Sequence, residues 1–307
     1  MTTGAKRAVP QHGDLRDFLP ERLSPSRLQE YQQCPKRFYY STILKLRSAA
    51  TEATTKGTLA HFAFEHIFDH PRGERTADNA VPYVRTHWEE LRGQASYAKI
   101  VELGEEKVEA MLGEAEQMVR NWFDIETPDN FDPVGRERWV RGLLGKAGVH
   151  GIIDRLDRIE RGGEVRWYIS DYKTGKRPDD RYIAKAFFAM NIYAALLFEE
   201  LGVVAHELRL LYVKDGKKED IRRQRVTEEG IARTRREVGA IYDAIVRDAK
   251  NGEFRPKTGP LCNWCDFQTM CPAFHPELEG IAIDEVVARF EKEQGGEGAL
   301  QEGLPLS

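Results

Sequence analysis

Residues Gly148 to Lys173 have the sequence GVHGIIDRLDRIERGGEVRWYISDYK, and this stretch decides the fold. Apolar residues alternate with polar ones on both sides of Gly162-Gly163, loosely before the glycine pair and cleanly after it, at Val165, Trp167 and Ile169. A period of two is typical of half-buried strands, and a glycine pair between two such runs is typical of a hairpin turn. The stretch therefore predicts two antiparallel strands.

The register of this hairpin places acidic residues together. If the turn holds two or four residues centred on Gly162-Gly163, Asp154 lies directly opposite Asp171. Directly opposed side chains share a face with Cβ atoms about 5 Å apart, so two carboxylates there repel each other and favour a cation between them. Lys173 returns to the same face and adds an ammonium group. Such a group can hold a divalent cation and activate a water, although solvated strand residues would give the same pattern.

Length and composition limit the class of protein. A chain of 307 residues with 41% hydrophobic content can form one large domain or two smaller ones. The sequence has no run of about 18 apolar residues and no apolar signal core near its start, so we expect a cytoplasmic protein without a membrane segment. The net charge of -4 argues against a uniformly basic surface, although Lys214 to Arg225 is locally basic.

The four cysteines indicate a second metal-binding site. Three of them form a C-x2-C-x5-C pattern at Cys262, Cys265 and Cys271, and Cys34 is the one remaining thiol. In a chain without secretory features, a cluster this tight indicates metal binding more than disulfides. A structural zinc ion and a [4Fe–4S] cluster both accept four cysteines, and the spacing does not separate them.

The first part of the chain predicts helices. A helix should begin after Ser24, which serves as the N-cap with Pro25 in the first turn, and end near Cys34-Pro35. Lys36 and Arg37 precede three aromatic residues; such a mixture can grip a nucleic acid backbone and stack a base, or simply pack around the cysteines.

The rest of the chain alternates helices and strands. We expect a helix from about Lys56 to Phe68 capped by Thr58, with His61 and Glu65 on one face, and a two-helix insertion at residues 76–125. Strands are expected at residues 134–140, which include Glu137, and 206–213. Helices are expected at 181–201, where Tyr193 lies near the buried face, and 227–251.

These motifs, in this order, resemble the RecB-like branch of the PD-(D/E)XK nuclease superfamily, and within it the iron–sulfur members such as the AddB nuclease domain and the CRISPR-associated and phage stand-alone exonucleases. The resemblance rests on five segments between Leu23 and Pro272: LSPS at 23–26 with Cys34-Pro35, GTLAH at 57–61, GIID at 151–154, DYKTG at 171–175 and the cysteine motif ending at Cys271-Pro272.

The resemblance implies a role for each matching residue. His61, Asp154 and Asp171 would bind Mg2+ or Mn2+, with the backbone carbonyl of Tyr172 as a further ligand, and Lys173 would be the catalytic lysine. Cys34, Cys262, Cys265 and Cys271 would hold a [4Fe–4S] cluster, with zinc as the alternative. The branch carries a glutamine four residues before Tyr193, where this chain has Ala189, so the DNA contact at this helix is open.

The resemblance also implies an architecture. It predicts an α/β fold with a central mixed sheet flanked by helices, a helical insertion at 76–125 and a terminal region joined by the cysteines at 262–271 and Cys34. A nuclease domain would span residues 23–275, between a flexible arm at 1–22 and an acidic, partly disordered tail at 276–307.

Two functions follow as hypotheses. The first is a metal-dependent DNA exonuclease that acts on DNA ends or single strands in recombination, repair or phage DNA processing, with Tyr193, Lys36 and Arg37 as candidate DNA contacts. The second is a DNA-binding accessory module that uses the nuclease fold without catalysis. DNA is the expected partner in both, with a separate helicase or recombination protein as a further candidate.

Overall fold

The computed structural model describes residues 13–278 and 281–293. Contacts within the chain divide it into two compact units: Ala50–Val238 forms one, and Met1–Ala49 together with Gly239–Ser307 forms the other. Most of the predicted arm, residues 1–12, and most of the predicted tail, residues 279–280 and 294–307, lie outside the described residues.

A five-stranded mixed sheet forms the centre of the Ala50–Val238 unit, as the sequence predicts. Its strands, in sheet order, are β1 (Gly135–Leu144), β2 (Ala147–Arg161), β3 (Glu164–Lys173), β4 (Glu207–Tyr212) and β5 (Ile221–Arg225). Neighbouring strands are antiparallel except β3 and β4, which are parallel and joined by a helical crossover.

The β2–β3 hairpin has the predicted register. Arg161 pairs with Glu164 across a two-residue turn, and the ladder continues to Arg155 opposite Ser170. Gly162 and Gly163 have φ values of +61° and +79°, the left-handed conformation that a tight hairpin turn requires and that glycine adopts without strain. The predicted register is therefore confirmed as far as Arg155 and Ser170, and Asp154 and Asp171 follow as the next residue of each strand.

The α-helices of the described residues are α1 (Pro25–Gln33), α2 (Pro35–Phe38), α3 (Glu52–His66), α4 (Ala77–Ala80), α5 (Pro82–Leu91), α6 (Ala98–Val101), α7 (Glu105–Ile125), α8 (Ile183–Ala186), α9 (Phe188–Leu201), α10 (Glu228–Asn251) and α11 (Ile283–Glu293). The insertion predicted as two helices at 76–125 therefore contains four. The extra breaks fall near Pro82, which begins α5, and at Gly104, which precedes α7 with a φ of +90°.

Helices α3, α5 and α7 share one hydrophobic core with the sheet. Phe64, Trp88 and Trp122 are buried there together with Tyr172 of β3. Helix α3 begins at Glu52, before the predicted start near Lys56, because Thr51 and Thr54 form a capping box. The prediction of Thr58 as the cap is wrong, since the Thr58 hydroxyl donates to the carbonyl of Thr54 within the helix.

Helix α9 supplies much of the remaining core. Its residues Met190, Ile192, Ala194, Ala195, Leu196 and Leu197 are buried. The helix predicted at 181–201 is broken at Phe187, so α8 and α9 are separate helices. In the described part of the chain, Asp180–Leu201 is the one stretch whose length and apolar composition would suit a membrane span. Core helices also have this length and composition, and α9 contributes six buried residues to the core.

The second unit contains α1, α2, α11 and the C-terminal part of α10. Ser24 caps α1 by accepting a hydrogen bond from the Arg27 amide, as predicted. The Tyr31 hydroxyl donates to Asp248 at 2.6 Å, and the ring of Tyr31 packs edge-on against Phe38. Leu15, in the segment predicted as an arm, is buried, and its amide donates to the carbonyl of Ala249.

Candidate active site

Three carboxylates occupy one row across β1, β2 and β3. Arg136–Arg155 and Arg138–Ile153 are paired in the β1–β2 ladder, and Glu137 and Asp154 occupy the position between these pairs. Asp171 follows on β3 in the same row. Glu137 has a φ of +42°, a conformation that is costly for a residue with a Cβ and is found where the surrounding structure imposes it.

Asp154 and Asp171 are held by different partners. The Tyr172 amide donates to Asp154 Oδ2 at 2.8 Å, and Lys173 Nζ lies 2.7 Å from Asp171 Oδ2. Asp171 Oδ2 is buried, and within the described residues it makes no contact with the geometry of a hydrogen bond. The contact between Lys173 and Asp171 is an ion pair, because Nζ and Oδ2 carry opposite charges and lie 2.7 Å apart. Lone pairs of this oxygen therefore remain for another ligand.

His61 of α3 joins the carboxylates through one ring nitrogen. Its Nε2 lies 3.0 Å from the carbonyl oxygen of Tyr172, and because a carbonyl can only accept, Nε2 carries the proton. The other nitrogen, Nδ1, lies 3.5 Å from Asp154 Oδ2 and 3.9 Å from Glu137 Oε1. The hydrogen bond from Nε2 sets the tautomer in which Nδ1 can ligate a metal, a common arrangement at histidine ligands.

The electrostatics of the site indicate excess negative charge. Burial, and then the neighbouring Asp171 carboxylate, raise the pKa of Asp154 to about 7. Burial alone would lower the pKa of His61, but Asp154, Glu137 and Asp171 raise it to about 9. Burial would also lower the pKa of Lys173, but Asp171 and Asp154 raise it, so the lysine remains an ammonium group.

The donor set suits a hard divalent cation. One ligand atom each from His61, Glu137 and Asp154 lies within 4.8 Å of the other two, a separation that one ion can bridge. His61 and Glu137 border an open cleft of about 440 Å³, which is also lined by Gly57, Thr58, Phe62, Glu65 and His87. A cation placed there would relieve the repulsion that raises the pKa of Asp154.

A buried ion cluster holds Tyr172 in place. Arg155 is 1% exposed and makes two hydrogen bonds to Glu126 of α7, at 2.7 and 2.9 Å. Arg155 also donates to the Tyr172 hydroxyl at 2.8 Å and to Asp157 at 3.1 Å. Because the Tyr172 backbone contacts both Asp154 and His61, this cluster fixes the geometry of the site from behind.

Tyr193 lies beside the site on α9. A Cβ on Gly151 would lie 2.4 Å from Tyr193 Cε1, so the ring packs directly on the bare backbone of β2. Burial and the Asp171, Asp154 and Glu137 carboxylates raise the pKa of the Tyr193 hydroxyl, which stays protonated as a hydrogen-bond donor. Ala189 leaves the position of the expected glutamine without a polar side chain. The nearby Asn191 accepts a hydrogen bond from Gln224.

Lys36 and Arg37 belong to the second unit and have partners there. Lys36 Nζ lies 4.8 and 5.2 Å above the rings of Tyr39 and Tyr40, and burial lowers its pKa. Arg37 Nε donates to Glu30 at 3.2 Å. Of the two interpretations of this segment, these contacts favour packing around the cysteines, and DNA contact at Lys36 and Arg37 stays a prediction.

The four cysteines meet within the second unit, and all are free thiols. The Lys257 amide donates to Cys34 Sγ and the Gly259 amide donates to Cys262 Sγ, each at 3.4 Å. Burial and the neighbouring Cys34 raise the pKa of Cys265 and of Cys271. Hydrogen bonds from the backbone amides of Phe267, to Cys265, and Ala273, to Cys271, oppose this increase. Each sulfur therefore receives a backbone N–H, as ligand thiolates commonly do.

Glu137 is the residue of the site that its sequence motifs do not identify. Its strand is predicted, but its alignment with Asp154 depends on the β1–β2 register. That register is set by Leu144 pairing with Ala147 across Gly145-Lys146, and Gly145 has a φ of +68°. A hairpin turn centred on this glycine and lysine is the signal that would have identified Glu137.

The comparison with protein families agrees with the fold. Residues 22–272 match a family model described as the PD-(D/E)XK nuclease superfamily. Among solved structures, one match is the crystal structure of a "Putative exonuclease" from Eubacterium rectale, with a TM-score of 0.48 and 15% sequence identity over 80% of this chain and 87% of that chain. No curated protein sequence has a significant match to this chain.

Proposed function

We propose that this chain, which belongs to the PD-(D/E)XK nuclease superfamily, is a metal-dependent DNA exonuclease of the RecB-like branch. The observation that carries the proposal is the convergence of His61, Glu137 and Asp154 on a space that one cation can fill, with the Lys173–Asp171 ion pair in the adjoining strand. Phosphodiester hydrolysis needs these elements: cation ligands and a positive charge near the phosphate.

The residues divide the chemistry between them. His61 Nδ1, Asp154, Asp171 and Glu137 would hold Mg2+ or Mn2+, which when bound polarises a phosphate oxygen and lowers the pKa of a water. Asp154 is oriented by the Tyr172 amide, and His61 by the Tyr172 carbonyl. Lys173 stays protonated and so acts by stabilising negative charge on the phosphate or the attacking oxygen, since an ammonium group cannot accept a proton.

The Tyr172 carbonyl would have a second role besides the one that the resemblance implies. It accepts a hydrogen bond from His61, and one of its two lone pairs remains. Within the proposal its first task is to set the His61 tautomer, and it would ligate the cation through the remaining lone pair.

End-labelled DNA tests the proposal. Wild-type protein with Mg2+ or Mn2+ should release labelled mononucleotides or short products progressively from an end of a linear oligonucleotide and should leave a circular single strand intact. Asp171→Asn and Lys173→Ala should each lower the rate by at least about a hundredfold, while Glu164→Gln, on an exposed part of β3, should not. Binding of DNA without turnover in either metal would instead support the accessory-module hypothesis.

We further propose that the four cysteines hold a [4Fe–4S] cluster that joins the N-terminal and C-terminal segments of the second unit. The amide donors to all four sulfurs support a ligand role. The choice of iron–sulfur over zinc rests on the resemblance of the chain to the iron–sulfur members of the RecB-like branch, since both groups accept four thiolates.

Anaerobic purification distinguishes the two metals. We expect a brown protein with a broad visible absorption band and four irons per chain, and loss of both in Cys262→Ala. A colourless protein with one zinc per chain would overturn the iron–sulfur assignment. A DNA partner, and a separate helicase that supplies the strand, remain part of the proposal.

A further inference from the structure

The outer part of the β1–β2 hairpin is basic in a chain that is acidic as a whole. Between Glu137 and Asp154 the sequence contains Arg138, Arg141, Lys146 and His150 but no aspartate or glutamate, whereas the net charge of the chain is -4. A surface of this kind attracts a polyanion even though the chain as a whole carries a net negative charge.

One face of this hairpin carries exposed aromatic and apolar side chains. The register pairs Trp139 with Ile152, Arg141 with His150 and Leu143 with Gly148, and side chains paired in this way share a face. We call Trp139, Arg141, Leu143 and His150 the hairpin strip. The Trp139 ring stacks on His150 with centroids 5.5 Å apart and planes at 20°, yet Trp139 is 40% exposed and Leu143 64% exposed.

The opposite face of the hairpin is already occupied. A Cβ on Gly142 would lie 3.4 Å from Leu196 Cδ2, and one on Gly151 would meet the Tyr193 ring, so α9 covers that face. The apolar side chains of the hairpin strip are therefore not required for this packing. Exposed aromatic groups beside positive charge are typical of a binding surface.

Only some of the cationic side chains of the hairpin form ion pairs with carboxylates among the described residues. Arg138 makes an ion pair with Glu200 of α9 at 2.6 Å. Arg141 and Lys146 are exposed, and among the residues that the structure describes neither has a carboxylate within 4.0 Å. A phosphate could therefore pair with Arg141 without displacing an internal partner.

The strip is continuous with the candidate active site. Trp139 is two residues from Glu137 along β1, and Ile152 is two residues from Asp154 along β2. A strand rises about 3.3 Å per residue, so Trp139 lies about 7 Å along the strand from the acidic row. That distance corresponds to roughly one to two nucleotides, because 3.4 Å per nucleotide is the rise of a stacked duplex strand and an unstacked single strand extends further.

We propose that the hairpin strip binds single-stranded DNA, with an unpaired base on Trp139 and a phosphate on Arg141. Inside a duplex both faces of each base are covered by its neighbours, so a base must leave the duplex stack to lie on Trp139, and the strip therefore favours a single strand next to the scissile bond. The inference rests on the proposed function only for the direction in which the strand runs to the active site. DNA binding by the strip is testable separately from cleavage.

Binding in EDTA, where cleavage is blocked, tests the strip. Fluorescence anisotropy with a labelled oligo(dT) should show a dissociation constant at least about fivefold higher for Trp139→Ala than for wild type, and near the wild-type value for Trp139→Phe, which retains a ring. Ile159→Ala is the matched control, because Ile159 is also 40% exposed and lies on β2. Arg141→Ala should lower the slope of log affinity against log salt by about 0.7.

The possible outcomes distinguish DNA binding by the hairpin strip from DNA cleavage at the active site. Wild-type affinity for oligo(dT) in both Trp139→Ala and Arg141→Ala overturns the inference, whether or not the wild-type protein cleaves DNA. Weaker binding in both variants supports it, even if the wild-type protein shows no cleavage, and only the proposed function then fails. An equal loss of affinity for blunt duplex DNA and oligo(dT) would contradict the single-strand specificity.

Discussion

The backbone amide of Tyr172 donates a 2.8 Å hydrogen bond to Asp154 Oδ2, across the first position where the β2–β3 ladder is no longer paired. The carboxylate of Asp154 is thus fixed by a main-chain group of the neighbouring strand, and the carbonyl of Tyr172 fixes His61 in turn. Backbone groups of a buried strand orient these side chains at a small cost in conformational entropy, because the sheet already fixes the positions of the backbone groups.

Removing Glu126 should destabilise the fold. Glu126→Ala leaves Arg155 buried without its bidentate partner, and such a loss costs about 3–5 kcal/mol in the free energy of unfolding. Urea denaturation measures the change. Glu164→Ala removes an exposed ion pair with Arg166 and should lower the free energy of unfolding much less, because solvent screens this pair. Equal effects of the two substitutions would show that the Arg155 cluster does not hold the site.

Substitution of Glu137 should weaken cation binding although no sequence motif identifies this residue. Glu137→Gln removes a charge 3.9 Å from His61 Nδ1, so we expect Mn2+ affinity to fall about tenfold or more by calorimetric titration. Glu160→Gln changes an exposed carboxylate of β2 and serves as the control. Unchanged affinity in Glu137→Gln would remove Glu137 from the ligand set.

The pKa values predict how pH affects stabilisation by metal. In the metal-free protein, the folded state retains a proton on Asp154 up to a pKa of about 7 and on His61 up to about 9, above their ordinary values of 3.8 and 6.5. Stability from Asp154 is therefore complete below about pH 4 and lost as pH rises through about 7, and that from His61 is complete below about pH 6.5 and lost through about 9.

A divalent cation competes with these protons. The increase in melting temperature produced by a fixed concentration of Mn2+ should therefore be larger at about pH 7.5 than at about pH 5.5. Differential scanning fluorimetry with and without Mn2+ at the two pH values measures it. An increase that is the same at both values, or larger at the lower pH, would contradict the role of Asp154 and His61 as ligands.

Gly151 should resist enlargement because of Tyr193. Gly151→Ala places a methyl group where the Tyr193 ring lies, and we expect a loss of about 1–3 kcal/mol in stability with a displaced ring. The double substitution Gly151→Ala with Tyr193→Ala should cost less than the sum of the two single changes, since the clash is absent. Additive costs would show that the contact is not strained.

Much of this geometry is predictable from the residues, and the rest depends on features that a sequence does not show. The glycine pair Gly162-Gly163 determines the register of β2 and β3, so the proximity of Asp154 and Asp171 follows from the amino-acid sequence alone. The place of Glu137 depends on a second register and on a left-handed backbone conformation that neighbouring strands impose.

Local signals also compete with other contacts that form nearby in the chain. Thr58 has the residue type of a cap, but the capping box at Thr51 and Thr54 starts α3 earlier. Lys36 and Arg37 have the composition of a nucleic acid contact, but their charged groups face Tyr39, Tyr40 and Glu30. The spacing of Thr51 and Thr54 is itself a capping signal, whereas DNA contact at Lys36 and Arg37 stays a prediction.

Mn2+ binding followed by electron paramagnetic resonance tests the central claim that His61, Glu137, Asp154 and Asp171 form a metal centre. The account predicts that wild-type protein binds Mn2+ with an affinity at least about ten times that of Asp154→Asn, whose amide cannot replace the carboxylate. Equal Mn2+ affinity in wild-type protein and Asp154→Asn, with both folded, would contradict it.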